Sequence, residues 1–307
     1  MIASRLLAAG VLRQHVPLAP LTTYRIGGEA AWFAEPGDGT ELAEVVRAAA
    51  EMHRPVLVLG RGSNVVVADT GVDAVVIHLV GDFAEVAIDD EGVVAAGGGA
   101  ALAKVARASV EAERGGLEFL VGIPGSVGGA VRMNAGCLGT ETADVLIDAT
   151  VVDGRNGDFT VRTPVDLAMA YRFSLVASHD IVVAARFSTQ PQPVTEGLAR
   201  IRKVTRWRKE HQPGGTLNAG SVFKNPPGDA AGRIIDSLGL KGLRRGGAVV
   251  SMRHANFFEA EPGTTAQDLY DLAGVVKQLV ASTTGIVLEP EVRFLGDFLE
   301  PEAETTT

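Results

Sequence analysis

The chain predicts an α+β protein of more than one domain, and three observations carry that expectation. Its 307 residues suffice for two or three domains of ordinary size. Apolar residues make up 46 % and charged residues 21 %, the balance of a globular protein that buries a core. Apolar positions switch repeatedly between helical and strand periodicity, with glycine-rich stretches between them.

The elements follow in order. Residues 1–10 carry a short apolar patch, expected to be a small amphipathic helix; the long apolar run and Ala-x-Ala site of a signal peptide are absent. Thr40–Ala50 suits a helix, and Val56–Leu59 and Ala74–Leu79 suit buried strands, so roughly residues 20–80 form a small α/β unit within a first domain, 1–80. Strands are expected at Ala84–Ile88 and Val93–Ala96, and a helix rich in Ala, Leu, Lys and Arg at Ala100–Glu113. More strand pattern follows at Val145–Val152 and Ile181–Phe187, with Asn156-Gly157 as a hairpin turn, giving a second domain over 81–190. Gln190-Pro191-Gln192-Pro193 reads as a boundary. A third domain, 191–297, holds a basic helix at Arg200–Lys209 and a loop at Asn218–Pro227. Helices are expected there at Ala230–Leu238 and Thr264–Thr283, and strands at Val249–Phe258 and Ile286–Leu295. The polar tail 298–307 is expected to be disordered.

Composition excludes several classes of function. No apolar run approaches the ~20 residues that span a membrane. A single cysteine, Cys137, forbids an internal disulfide and fits a cytoplasmic protein; it reads as a small buried filler ahead of a reactive thiol. The six histidines are scattered, without metal-ligand spacing, so no metal is expected. A net charge of −9 argues against general nucleic-acid binding. The charge is uneven, however: residues 191–260 hold 12 Lys+Arg against 5 Asp+Glu, a local +7 that suits an anionic ligand or, for the helix alone, a solvated basic face.

Two glycine-rich loops stand out. Val121–Gly136 crowds Gly122, Gly125, Gly128, Gly129 and Gly136 around Pro124, Ser126 and Asn134. Such a segment can turn backbone N–H groups toward an anion, or it can be a tight structural loop. Gly60-Arg61-Gly62-Ser63-Asn64 follows a strand directly, a common way to build a phosphate cradle. Neither fits G-x-G-x-x-G or the P-loop, which argues against a Rossmann site and a P-loop ATPase.

Three further constellations carry side-chain chemistry. In Tyr171-Arg172-Phe173-Ser174 an arginine between aromatics can be aimed at a carboxylate or oxyanion. In Asn218–Pro226, Gly220 permits a turn, Ser221 presents a hydroxyl, and Lys224 and Asn225 can hold a charged ligand. The G-x-S-x-G elbow is absent, so Ser221 reads as a proton donor or a loop cap. In Leu288–Phe294 a strand would put Glu289, Glu291 and Arg293 on one face, with Pro290 at an edge or bulge; that face could line a cleft or meet solvent.

Taken together with Thr22-Thr23-Tyr24-Arg25-Ile26-Gly27-Gly28, and in this order along residues 18–297, these segments resemble the UDP-N-acetylenolpyruvoylglucosamine reductase family, in its shorter, type II form. The resemblance implies a vanillyl-alcohol-oxidase-like two-part FAD-binding domain, 1–80 and 81–190, and a C-terminal α+β substrate domain. It implies bound FAD held by Tyr24, Arg25, Gly60, Arg61, Gly62, Ser63, Asn64, Gly122, Pro124, Gly125, Ser126, Gly128, Gly129, Asn134 and Gly136. It implies NADPH as co-substrate and UDP-N-acetylglucosamine enolpyruvate as substrate, in a cytoplasmic monomer or weak oligomer. Arg172 and Glu291 would then polarise the enolpyruvyl carboxylate, Ser221 would protonate the α-carbon, and Lys224, Asn225 and His211 would bind substrate. The chain departs from the family at His211-Gln212-Pro213, where a lysine is usual; Lys209 is two residues earlier. Two rival readings share the flavin fold or the ligand: an FAD-dependent oxidase of another substrate, and a non-catalytic UDP-sugar binder, against which Arg172, Ser221 and Glu291 argue; His211 is the one feature that favours either rival.

Overall fold

The structure, a computed structural model, describes residues 2–300. The chain divides into two compact units, each assembled from separate segments. The first comprises Met1–Val16, Ala31–Arg61 and Asp73–Glu210, and the second Pro17–Ala30, Gly62–Val72 and His211–Thr307. The contiguous blocks expected from the sequence are therefore interleaved, since short segments near residues 20 and 65 leave the first unit for the second.

The first unit holds two cores. A four-stranded sheet, in the order Leu12–Pro17, Glu29–Ala34, Val72–Ile77, Val56–Val58, packs with helices α1 (Ile2–Ala8) and α2 (Gly39–Glu51) around Leu42, Val45, Val46, Val75 and Ile77. Asp38 starts α2 by accepting hydrogen bonds from the amides of Thr40 (2.8 Å) and Glu41 (2.9 Å), the usual way to satisfy orphan donors at a helix N-terminus. An antiparallel five-stranded sheet runs Phe159–Arg162, Leu146–Asp153, Asp180–Phe187, Val94–Gly97, Val86–Ile88. Helices α3 (Leu102–Glu111) and α4 (Val127–Met133) supply Leu102, Val105, Val127 and Val131 to the core of that sheet. The basic helix is α5 (Val194–His211), and it buries only Gly197, Ile201 and Val204.

The second unit wraps α6 (Ala231–Ser237) and α7 (Ala266–Thr284) around a three-stranded antiparallel sheet, Arg244–Arg245, Ala248–Val250, Phe258–Ala260. α7 opens with a capping box between Thr265 and Asp268 and ends at Gly285, where φ is +74°. The strand expected over Val249–Phe258 is two strands, because residues 251–257 turn: the Phe257 amide donates to the His254 carbonyl at 2.9 Å. The tail also differs from expectation at residues 298–300. Phe298 stacks on Tyr270 at 4.8 Å, and Gln267 holds both the N–H and the carbonyl of Leu299. Residues 301–307 lie outside the described part. Among the described residues, no helix is long and apolar enough to cross a membrane.

His254 gives this unit a pH dependence. Its ring packs edge-on to Phe257 at 4.7 Å, and its Nδ1 accepts the amide of Asn256 at 3.3 Å. Burial pushes its pKa below the ordinary 6.5. The unfolded chain thus takes up this proton at higher pH than the folded one, so stability present above pH 6.5 is lost as pH falls below it. Between pH 7 and 5.5 the melting temperature is expected to fall more steeply in the wild type than in His254→Gln; parallel curves would remove His254 as the cause.

Candidate functional site

In the first unit, the end of strand Val56–Val58 meets the turn before α4. A Cβ on Gly60 would lie 2.5 Å from the Ser126 hydroxyl, so only glycine leaves that hydroxyl its place. Ser126 occupies the N-cap position of α4, is buried, and makes no side-chain cap hydrogen bond. The turn is stitched to the Gly98–Leu102 stretch: Gly125 accepts from the Leu102 amide (3.1 Å), and the Val127 and Gly128 amides donate to Ala100 (3.0 Å) and Gly98 (2.7 Å). Pro124 and Gly129 are exposed, and Gly125 has φ +151°.

Other glycines of this segment answer to protein packing. A Cβ on Gly122 would meet Cys137 Sγ at 2.6 Å, and one on Gly136 the Thr140 carbonyl at 2.7 Å. Gly128 faces the carbonyls of Gly98 and Val182, each at 3.1 Å. Asn134 is committed within the protein. It caps α4 in the left-handed region (φ +41°), and its amide is fully used inside the protein. Its Nδ2 donates to Glu141 Oε2 (2.8 Å) and the Ala170 carbonyl (3.0 Å), while its Oδ1 accepts the Ala143 amide (2.9 Å).

The Gly60–Asn64 loop is shared between the units. Exposed Arg61 ends a segment of the first, and Gly62, Ser63 and Asn64 start one of the second. Gly62 (φ +59°) receives the Thr23 amide on its carbonyl at 3.0 Å. Asn64 donates from Nδ2 to the Glu291 carbonyl (3.1 Å), and its backbone carbonyl accepts the Arg293 amide (3.0 Å), so side chain and backbone together position the Glu291 segment. Tyr24 is a core residue, 2 % exposed, with its hydroxyl donating to the Phe258 carbonyl at 3.0 Å. Burial raises its pKa far above the usual phenol range. Arg25 is exposed beside it at φ +56°, its amide held by the Thr22 hydroxyl at 3.1 Å.

Of the three residues expected to do chemistry, Arg172 belongs to the first unit and Ser221 and Glu291 to the second. Ser221 and Glu291 are neighbours through Val222. Gly220 turns at φ +77°, Ser221 bridges Phe257, and the Val222 carbonyl accepts the amides of Glu291 (2.7 Å) and Val292 (3.3 Å). That double acceptance is a bulge, and it corrects the expected strand. Residues 289–291 pair with 222–224, and only Arg293–Leu295 forms a strand, parallel to Val65–Val67. Glu289, Glu291 and Arg293 do not share one strand face; Glu289 instead pairs with Lys224 at 2.6 Å. Asn225 Oδ1 accepts the Ala231 amide at the start of α6 (3.0 Å), and His211 is exposed at the end of α5.

The sequence reading missed Asn256, Glu141 and Arg208. Asn256 clamps Phe223 with both ends of its amide, and its one sequence signal is a polar residue inside the apolar run Ala255–Phe258. Arg208 is half-buried, and its charge is felt at Cys137. Burial still pushes the Cys137 thiol up, as suits a packed filler rather than a nucleophile. His179 lies close to Asp153 and Asp180, a trio with metal-ligand spacing, but the two carboxylates already hold Arg155 and Arg162.

Comparison with known proteins shows which family the chain resembles. Residues 212–295 match the family described as UDP-N-acetylenolpyruvoylglucosamine reductase, C-terminal domain, and residues 30–161 match an FAD binding domain family. A UDP-N-acetylenolpyruvoylglucosamine reductase of Erythrobacter litoralis is 41 % identical over 287 residues, covering 94 % of this chain and 88 % of that protein. One of Parvibaculum lavamentivorans is 42 % identical over 288 residues, covering 94 % and 92 %. The solved UDP-N-acetylenolpyruvylglucosamine reductase of Thermus caldophilus superposes with a TM-score of 0.80 at 37 % identity, covering 93 % of this chain and all of that one.

Proposed function

The chain belongs to the UDP-N-acetylenolpyruvoylglucosamine reductase family, and from that premise we infer that it reduces UDP-N-acetylglucosamine enolpyruvate to UDP-N-acetylmuramate with FAD and NADPH, in the synthesis of peptidoglycan precursors. The observation that carries this reading is that the Val222 carbonyl, next to Ser221 in the chain, holds the Glu291 amide, inside the segment that matches the reductase C-terminal domain. A proton donor and a carboxyl residue on paired backbone segments suit reduction of an enol ether better than oxidation of an alcohol.

The first unit fits FAD. Gly60 lets the Ser126 hydroxyl approach its backbone closely, and that hydroxyl makes no cap hydrogen bond, in loops that fall within the FAD binding domain match. When bound, FAD would supply the hydride chemistry that links NADPH to the β-carbon of the enolpyruvyl group. Gly60, Ser126 and the neighbouring amides would hold its phosphates. Gly60→Ala is expected to fold normally, because only a serine hydroxyl must move, and to bind FAD about tenfold more weakly, or ~1.4 kcal/mol. A fluorescence titration of the apoprotein measures this, and unchanged affinity would place the pyrophosphate elsewhere.

The remaining steps belong to side chains of this chain. Addition at the β-carbon leaves negative charge on the α-carbon and carboxylate. Arg172 and Glu291 would polarise that carboxylate and stabilise the charge. Ser221 then gives its proton to the α-carbon; a hydroxyl is a weak acid, and it serves because the carbon is strongly basic. Lys224 and Asn225 contact phosphate or sugar, with His211 or Lys209 in the place of the usual family lysine. The reaction is assigned to a cytoplasmic monomer or weak oligomer. The test is an anaerobic visible spectrum. A yellow protein that bleaches with NADPH and recovers its colour with the enolpyruvyl sugar has both half-reactions; one that recovers only with oxygen is an oxidase.

A further inference from the structure

We propose that Glu141 is a positioning residue for Arg172, aiming its guanidinium through a two-point mount that Asn134 anchors. The inference rests on the reading of Arg172 as the residue that meets the substrate carboxylate.

The mount begins with a two-stranded ribbon, Gly136–Cys137 against Thr140–Glu141, closed by Leu138 and Gly139. Both turn residues have positive φ, +53° and +85°, the backbone of a tight type I′ hairpin. Gly136 and Glu141 are cross-strand partners in this ribbon. Arg172 reaches both. Its Nη2 donates to the Gly136 carbonyl at 3.4 Å, and its Nη1 lies 3.9 Å from Glu141 Oε1. The Glu141 contact is longer than a hydrogen bond, so the carboxylate steers the guanidinium by charge without locking it in a bidentate fork.

The other side of the mount is the turn that carries Arg172. Ala170 and Phe173 exchange both backbone hydrogen bonds at 3.0 Å, leaving Tyr171 and Arg172 at the tip. Arg172 sits at φ +52°, a costly region for a side-chain-bearing residue, which persists where surroundings over-determine it. Its guanidinium lies over the Tyr171 ring at 5.2 Å. The Asn134 amide ties these two sides together. One Nδ2 donates to Glu141 Oε2 and to the Ala170 carbonyl, so the carboxylate and the base of the turn share one buried anchor that is 1 % exposed. The capping box between Glu141 and Asp144 fixes the Glu141 backbone as well, with its amide donating to Asp144 Oδ2 at 2.8 Å.

A carboxylate beside an arginine lowers the net positive field at the site. Its place 3.9 Å from Arg172 therefore points to aim rather than to charge. An error of about 1 Å in such a group costs up to a hundredfold in rate.

The test is a double-mutant cycle with Glu141→Gln, Arg172→Ala and the pair, in holoenzyme read by stopped flow. Glutamine keeps an acceptor for Asn134 and removes the charge. In Glu141→Gln, flavin reduction by NADPH is expected to stay within about twofold of wild type, and reoxidation by the enolpyruvyl sugar to slow about tenfold. In the Arg172→Ala background the same substitution is expected to add nothing. An additive loss there, or an equal loss in both half-reactions with a lowered melting temperature, overturns the proposal. If Arg172→Ala itself reoxidises at the wild-type rate, the reading of Arg172 fails instead, which separates the two failures. Should Glu141→Gln not retain flavin, Glu141→Asp, with the charge kept and the reach shortened, is read in the same cycle against the same outcomes.

Discussion

Ser221→Ala is expected to slow reoxidation of the reduced flavin by UDP-N-acetylglucosamine enolpyruvate by about 10²–10⁴-fold, the range for loss of a positioned general acid. Flavin reduction by NADPH should remain within about twofold, because that half-reaction needs no proton at the α-carbon. The substitution isolates chemistry from folding. Ser221 is held by backbone geometry: the Gly220 turn, the bridge to Phe257, and the bond from the Val222 amide to the Asn256 carbonyl at 2.8 Å. No hydrogen bond among the described residues uses its hydroxyl, so the melting temperature should hold, with stability changed by less than about 0.5 kcal/mol. Single-turnover kinetics decide the matter. Equal losses in both half-reactions would move Ser221 to the cofactor or NADPH site, and no loss would remove it from proton transfer. A loss confined to reoxidation would also exclude an oxidase, which has no use for a proton donor at that carbon.

Much of the fold was legible because local signals agreed. The periodicity over Thr40–Ala50, Ala100–Glu113 and Thr264–Thr283 corresponds to α2, α3 and α7, and two of these carry side-chain caps, Asp38 and Thr265. Strands failed where their partners changed midway. Leu288–Phe294 alternates as a strand should, but its first half pairs with residues 222–224 and its end with Val65–Val67, and the bulge at Val222 breaks the face between them. Alternation reports that a backbone is extended; it says nothing about which neighbour accepts it. The same limit hid the interleaving of the two units, since residues 17–30 and 62–72 are too short to announce which core they join. At the site, Ser221 and Glu291 lie on backbone segments that meet at Val222. The asparagines show what a residue type alone leaves open. Asn64 and Asn134 sit in glycine-rich loops and offer the groups a phosphate would want, yet a carbonyl, an amide and a carboxylate of the protein itself take them. A primary amide is equally suited to a ligand and to a backbone, and only the fold distinguishes the two.

Asn256 shows how much can depend on one such amide. Its side chain is 2 % exposed; Oδ1 accepts the Phe223 amide at 3.0 Å and Nδ2 donates to the Phe223 carbonyl at 2.8 Å. It thereby acts as a strand one residue long. Asn256→Ala leaves both Phe223 groups buried without partners, at about 1–3 kcal/mol each, so a loss of roughly 2–6 kcal/mol is expected in denaturant unfolding. Asn256→Leu separates the causes. It restores volume without the hydrogen bonds, and it should be as destabilised as alanine; recovery toward wild type would show that packing, not the clamp, matters. Asn256→Asp keeps the acceptor for the Phe223 amide but sets a carboxylate oxygen against the Phe223 carbonyl, so it should also lose most of the stability. Phe223 lies two residues beyond Ser221, and the intervening Val222 carries the Glu291 amide on its carbonyl. The clamp therefore fixes the backbone that carries Ser221 and receives the Glu291 amide. Across the Asn256 series the rate of flavin reoxidation should fall with stability even at temperatures where every variant is folded, while reduction by NADPH should not.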